Sequence, residues 1–369
     1  MKKFSITKSK RLRSTPFSSR IEAQGVKSYS VYNHMLLPTV FDSFINEYHH
    51  LKTHVQVWDV SVQREIEIIG KDSYTLVQLM TCRDLSKAKI KKCYYSPLID
   101  KYGKMINDPL IYKIDNDTWR ICIADSDVML FAKGIAEAKN LNVDIKETNI
   151  STLAVQGPKS IQLMEKIFGS KIKELKFFNY DYFEFDNHRY LISKSGYSKQ
   201  GGFEIHVENI KAGLKLYDHM FKVGKEFNIK AGCPNIIERI EGGLLSYGND
   251  MDIRDNPFEC GFDKYINLDA DIDFLGKNSL NKIKSNGIVK KLMGVKINTQ
   301  QIDLYNEEKL YDKNNNFVGF LRSAVYSPNF KKVVGIAMIE KKYCKISQEF
   351  KINIDGKQIF GEICNLPLV

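Results

Sequence analysis

No run in this chain approaches the roughly eighteen apolar residues that a membrane-crossing helix needs, so no membrane span is expected. The seven cysteines (Cys82, Cys93, Cys122, Cys233, Cys260, Cys344 and Cys364) are widely spaced and form no Cys-x-x-Cys pair. That excludes a zinc knuckle or a disulfide framework and leaves them as small, mostly buried apolar residues. Also missing are a Walker loop, a dinucleotide fingerprint, a Gly-x-Ser-x-Gly elbow and an aromatic ribonucleoprotein motif. His50 and His54 lie four apart, but no His-Glu-x-x-His pattern or third ligand accompanies them, so no metal is expected. His34, His188 and His219 are isolated. The opening segment, residues 1–11, is basic without the apolar core of a signal peptide, which predicts a cytoplasmic protein.

What is present is a mixed, evenly charged composition. Apolar residues make up 43% and charged residues 27%, as in a globular chain, and 369 residues call for two or three domains. The net charge of +11 comes from 55 basic and 44 acidic residues. The lysines are scattered, which predicts a solvated surface rather than a nucleic-acid interface; such a surface would still attract a polyanionic small ligand.

Apolar spacing predicts helices over 40–51, 71–80, 128–139, 159–168, 210–226 and 236–245. Alternation predicts strands over 55–62, 65–70, 109–114, 118–124, 152–158, 180–185, 190–193 and 203–207. Residues 1–30 read as an irregular lead-in. Strands and helices alternate in two comparable halves, an α+β pattern. From about 286 onward short strands and turns predict a small all-β barrel or sandwich, with 284–287 as linker. The expected division is therefore two interleaved α+β units over 1–285, forming the catalytic region, and a barrel-like domain over 286–369.

Three segments could carry chemistry. Tyr95-Ser-Pro-Leu-Ile-Asp-Lys-Tyr-Gly-Lys-Met-Ile-Asn-Asp108 puts a tyrosine, a glycine and an acid on a strand–turn–strand closed by Pro109. Spacing alone favours reading Asp108 as a residue that caps or kinks the hairpin. In Gly196-Tyr-Ser-Lys-Gln-Gly-Gly-Phe-Glu204, the Gly201-Gly202 pair permits close backbone approach. If Ile205 and Val207 face the core, Glu204 and His206 share the opposite face, either exposed or, if buried, requiring hydrogen-bond donors. A flat heterocycle with an amide N–H beside an amine would supply them. In the segment 236–250, Arg239 and Gly243 are four apart on a predicted helix face, where Arg239 could pair with a carboxylate or simply face solvent.

Several blocks resemble the glycine-cleavage T-protein (aminomethyltransferase) family: Trp58-Asp-Val-Ser61, Tyr95 to Asp108, Leu153-Ala-Val-Gln-Gly-Pro158, Gly196-Tyr197 through Glu204, Arg239 with Gly243 and Tyr247-Gly-x-Asp250, Phe274-Leu-Gly-Lys277, and Val318-Gly-Phe through Ser327-Pro328. The resemblance implies a T-protein-like three-domain ring around a tetrahydrofolate site. By position, Tyr95, Asp108, Tyr197, Glu204, Arg239 and Tyr247 would line that site, Glu204 on the pterin edge and Asp108, the implied catalytic residue, near the reacting nitrogen. Two departures stand out. The family's Thr-Gly-Glu loop is here Ser198-Lys-Gln, and its early Gly-Gly-Trp-x-Met-Pro block is here Asn33-His-Met-Leu-Leu-Pro38. The opening Arg11-Leu-Arg-Ser-Thr-Pro-Phe-Ser-Ser-Arg-Ile-Glu22 is similar to the dimethylsulfoniopropionate demethylase branch. That likeness implies methyl transfer from a small sulfonium substrate to tetrahydrofolate by a monomer or homodimer, with Tyr32, Met35 and Trp58 as candidates for the substrate pocket. The alternatives within the resemblance are an aminomethyltransferase acting on a lipoylated carrier and a non-catalytic folate-binding factor.

Overall fold

The computed structural model describes residues 6, 9–354 and 356–368; most of the first eight residues of the basic opening segment lie outside them. The chain divides into two compact units. One takes in the chain up to Glu65, Thr148–Gly196 and Gln200–Pro234; the other takes in Ile66–Glu147, Tyr197–Lys199 and the chain from Asn235 onward.

The first unit is built on a six-stranded sheet ordered Tyr180–Phe185, His188–Ser193, Gly202–Val207, Ser151–Gln156, Gln56–Asp59 and Lys230–Gly232. Only the last pair is parallel. Ser151–Gln156 and Gly202–Val207 are buried along their whole length, as central strands covered on both faces must be. On one face Leu153, Val155, Phe203, Ile205 and Val207 join the core beneath the helices Ser160–Phe168 and Ile210–Val223. The hairpin between Tyr180–Phe185 and His188–Ser193 turns at Asp186 and Asn187, both at positive φ, the conformation a two-residue hairpin favours.

The opening of the chain is more ordered than its composition predicts. Ser18–Ala23 is helical and Ser28–Tyr32 pairs with Met35–Val40. Phe17 and Ile21 are fully buried in the core, each contributing about 2–3 kcal/mol of apolar burial. The following helix starts at Phe44 rather than near residue 40, because the Ser43 hydroxyl caps it by accepting from Asn46 N at 3.2 Å.

The second unit holds a five-stranded sheet, ordered Asp144–Glu147, Glu65–Ile69, Thr118–Cys122, Leu110–Lys113 and Cys93–Tyr95. Its core lies beneath the helices Ser73–Met80 and Val128–Ala138. A short pair, Leu98–Ile99 with Met105–Asn107, is closed by a turn in which Asp100 Oδ1 accepts from Tyr102 N and Lys104 N. A closed barrel completes this unit, ordered Lys290–Ile297, Lys332–Glu340, Phe317–Ser327, Glu308–Tyr311, Glu349–Ile354 and Lys357–Cys364, with its own apolar interior.

Two expectations are corrected. Residues 284–286, read as linker, close the helix Lys277–Asn286. The helix expected over 236–245 ends at Glu241, because Gly243 turns to φ +61°; Gly243 therefore does not share a helix face with Arg239. Among the described residues no helix is long and apolar enough to cross a membrane.

Candidate active site

In the second unit, Asp108 stands where the chain leaves Met105–Asn107 and, after Pro109, enters the five-stranded sheet at Leu110. It is 9% exposed, and Tyr95 Oη donates to its Oδ2 at 2.7 Å. Burial pushes its pKa up to about 7; the Tyr95 hydrogen bond opposes that rise and the Asp250 carboxylate adds to it. Burial, with the facing Asp108, likewise holds the Tyr95 hydroxyl well above its ordinary range. The Tyr95 ring meets Phe262 and Tyr265 edge-on, with centroids 5.5 and 5.2 Å away. Arg83 donates to Tyr95 O at 2.6 Å and lies over the rings of Tyr94 and Tyr265, so the base of this aromatic wall is fixed through a guanidinium.

Three other anticipated residues belong to the same unit. Arg239 donates to Asp250 Oδ2 at 2.8 Å and to Ser323 Oγ at 2.9 Å, so it is a buried, paired cation rather than an exposed helix charge. The Tyr197 hydroxyl reaches Leu244 O and Leu245 O at 2.9 and 2.8 Å; burial raises its pKa, while Arg239 pulls the other way and Asp108 and Asp250 add to the rise. Tyr247 donates to Met105 O at 3.3 Å, three residues before Asp108, and burial pushes its hydroxyl up to about 12. Tyr95, Asp108, Tyr197, Arg239 and Tyr247 are thus linked by short contacts and mutual charge effects. An array of this kind couples one carboxyl that titrates near neutrality to hydroxyls that stay protonated, which suits binding a polar ring and moving a single proton.

Glu204 belongs to the first unit. It faces away from Phe203 and Ile205, as alternation predicts, but that face is buried: Glu204 is 5% and His206 3% exposed. Ser195 Oγ donates to Glu204 Oε2, and Ser193 and Ser195 are linked hydroxyl to hydroxyl at 2.6 Å. Burial raises the Glu204 pKa, with Ser195 and His206 pulling the other way. His206 Nδ1 is paired with Glu65 Oε1, which Thr152 Oγ1 also reaches at 3.3 Å. The glycine pair earlier in this strand divides its work. Gly201 needs its positive φ, while a Cβ on Gly202 would fall 2.4 Å from both Val155 O and Gln156 Nε2.

The substrate candidates are also in the first unit. Tyr32 and Met35 face each other across the first hairpin. Trp58 is fully buried on the six-stranded sheet, its Nε1 donating to Gln56 Oε1 at 2.8 Å. His50, considered for a metal, bonds Asn228 O through Nε2 at 2.8 Å, and burial lowers its pKa to about 4; His54 lies beyond the end of its helix.

Sequence reasoning did not single out Arg83, Ser195, Phe262 or Tyr265, and it noted Asp250 and Ser323 only as members of similar blocks.

A family model described as the GCVT N-terminal domain matches residues 17–270, and one described as the glycine cleavage T-protein C-terminal barrel domain matches residues 290–369. The dimethylsulfoniopropionate demethylase DmdA of Ruegeria pomeroyi is 42% identical over 339 residues, 92% of each chain. An aminomethyltransferase of Thermoanaerobacter pseudethanolicus is 30% identical over 333 residues, 88% of each. The crystal structure of the glycine cleavage system aminomethyltransferase T from Bartonella henselae superimposes with a TM-score of 0.87 over 97% of this chain and 98% of that one, at 20% identity, which establishes the shared fold. With both domain models matched in order along the chain, this protein belongs to the glycine cleavage T-protein family.

Proposed function

We propose that this chain is a tetrahydrofolate-dependent methyltransferase that demethylates dimethylsulfoniopropionate to methylmercaptopropionate and forms 5-methyltetrahydrofolate. The observation that carries the reading is the 42% identity, across 92% of both chains, with a protein of that demethylase name; the aminomethyltransferase relatives stand at about 30%. The protein is read as cytoplasmic, acting as a monomer or homodimer.

The residues present fit a reduced pterin and a cationic donor. Glu204 is a buried carboxyl whose ionised form is disfavoured by burial; a pterin's paired N–H donors would restore it bidentately. When bound, tetrahydrofolate would supply a nucleophilic N5 lone pair for the sulfonium methyl, the neutral thioether being the leaving group.

The chain's own part is alignment and one proton. Asp108, whose carboxyl burial pushes up to about 7, would take up the proton released at N5. Tyr95 holds the Asp108 oxygen at 2.7 Å and so sets the direction of that transfer. Tyr32, Met35 and Trp58 are assigned to the sulfonium side, where aromatic and thioether surface disperses positive charge. Orientation of two small reactants is the main source of acceleration in such a site.

The test is incubation with tetrahydrofolate and dimethylsulfoniopropionate, following 5-methyltetrahydrofolate and the demethylated thioether in equal amounts. Absence of turnover, together with ammonia release from an aminomethyl-lipoyl carrier, reverses the assignment.

A further inference from the structure

The barrel strand Phe317–Ser327 carries an irregularity. Leu321 pairs with Ala337 while Ser323 pairs with Ile336, so Arg322 is one residue too many for its partner strand. Such a bulge re-aims side chains, and here two consecutive residues act on Asp250. Arg322 Nη1 donates to Asp250 O at 2.9 Å and Ser323 Oγ to Asp250 Oδ1 at 2.5 Å. Asp250 is fully buried. Its other oxygen accepts from Arg239 Nη1 and from Ser246 N, both at 2.8 Å, and Arg239 Nη2 closes the cycle on Ser323 Oγ at 2.9 Å. The Ser246 contact also anchors the turn that carries Tyr247, whose backbone bridges to Met251.

We infer that Asp250 and Ser323 are positioning residues, through which the barrel fixes the Arg239 guanidinium and the Tyr247 turn and keeps a negative charge facing Asp108. This rests on the proposed role of Asp108 in folate-dependent transfer, and it adds two residues that act through others. The geometry has a reason. Asp250 pairs with the buried Arg239 guanidinium, and its carboxylate works against ionisation of the Asp108 carboxyl. The charged or titratable groups that act on Asp108 are Tyr95, Tyr197, Tyr247, Asp250 and Cys260. Of these Asp250 is the one whose carboxylate raises the Asp108 pKa, so its removal is the change to make.

The test uses the full chain labelled with ¹³C at aspartate side-chain carboxyls, with the Asp108 signal assigned from Asp108→Asn. In Asp250→Asn the Asp108 midpoint falls by about one pH unit, because the negative charge that opposes Asp108 ionisation is lost. An unmoved midpoint in a folded variant overturns the inference. If Asp250→Asn does not fold, Ser323→Ala and Ser323→Thr decide. Calorimetry with tetrahydrofolate should show affinity weakened about three- to tenfold by alanine and restored by threonine, which keeps the hydroxyl. Wild-type affinity in the alanine variant overturns the inference equally. The midpoint measurement needs no reactant, so a shifted midpoint in a protein that does not turn over dimethylsulfoniopropionate removes the functional reading and leaves the positioning role intact.

Discussion

Replacing Asp108 by asparagine should stabilise the protein, and by an amount that grows with pH. Folded Asp108 ionises near 7 instead of at its ordinary 3.8. Between those values the native state holds a proton that the unfolded chain has released, so stability falls as pH rises, by about 1.4 kcal/mol per pH unit. Asp108 therefore costs little at pH 4, about 1–2 kcal/mol at pH 5, and about 4 kcal/mol once pH exceeds its folded pKa. Asparagine keeps the shape and can still accept from Tyr95, but it has no charge to desolvate. The variant's advantage should widen by about 2–3 kcal/mol between pH 5 and pH 8, roughly 5–10 °C in melting temperature for a cooperative unit of this size. Wild type and variant are melted side by side across that range and only their difference is read, since every other titration is common to both. A difference that stays constant from pH 5 to pH 8, or shrinks, refutes the claim that burial holds this carboxyl protonated.

The same carboxyl should govern turnover. Asp108→Ala is expected to lower kcat by about a hundredfold or more while folate still binds, as read by single-turnover kinetics beside calorimetry, and the wild-type rate should climb roughly tenfold from pH 6 to pH 8. Tyr95→Phe removes the hydrogen bond that favours the ionised form, so the rise of the pH–rate profile should move to higher pH; a move to lower pH contradicts the assignment. Glu204→Ala should weaken tetrahydrofolate binding by about ten- to a hundredfold with an unchanged far-ultraviolet spectrum, and unaltered affinity would strip Glu204 of its role. Gly202→Ala should cost about 2–4 kcal/mol in denaturant unfolding, because its Cβ would overlap Val155 O and Gln156 Nε2.

Much of the fold was legible because local periodicity carries it. Alternation through Phe203, Glu204, Ile205, His206 and Val207 set Ile205 and Val207 on one face and Glu204 and His206 on the other, and in the structure Ile205 and Val207 are the pair that joins the core. The failures have separate physical causes. The helix Lys277–Asn286 buries only Leu280, so it has almost no apolar stripe to read. The helix after Asn235 stops early because one glycine adopts positive φ, a choice that composition permits but does not impose.

The site was less legible than the fold, and the reason is distance along the chain. Alternation put Glu204 opposite the core but could not tell an exposed face from a covered one, since that depends on which segments pack there. Asp108 looked like an ordinary hairpin residue because its burial is set by Tyr95, Asp250 and their surroundings, and Asp250 is far downstream in sequence. Ser323 is the extreme case. It reaches Asp250 from 73 residues away only because Arg322 adds a residue to its strand. Beyond a bulge the two-residue period inverts, so a pattern that reads correctly before Arg322 assigns the opposite face after it. A site assembled by such a device is visible in the register of the barrel strands, not in the order of the residues, and mutational searches guided by local pattern would pass over Ser323 and Asp250 while concentrating on the aromatic wall.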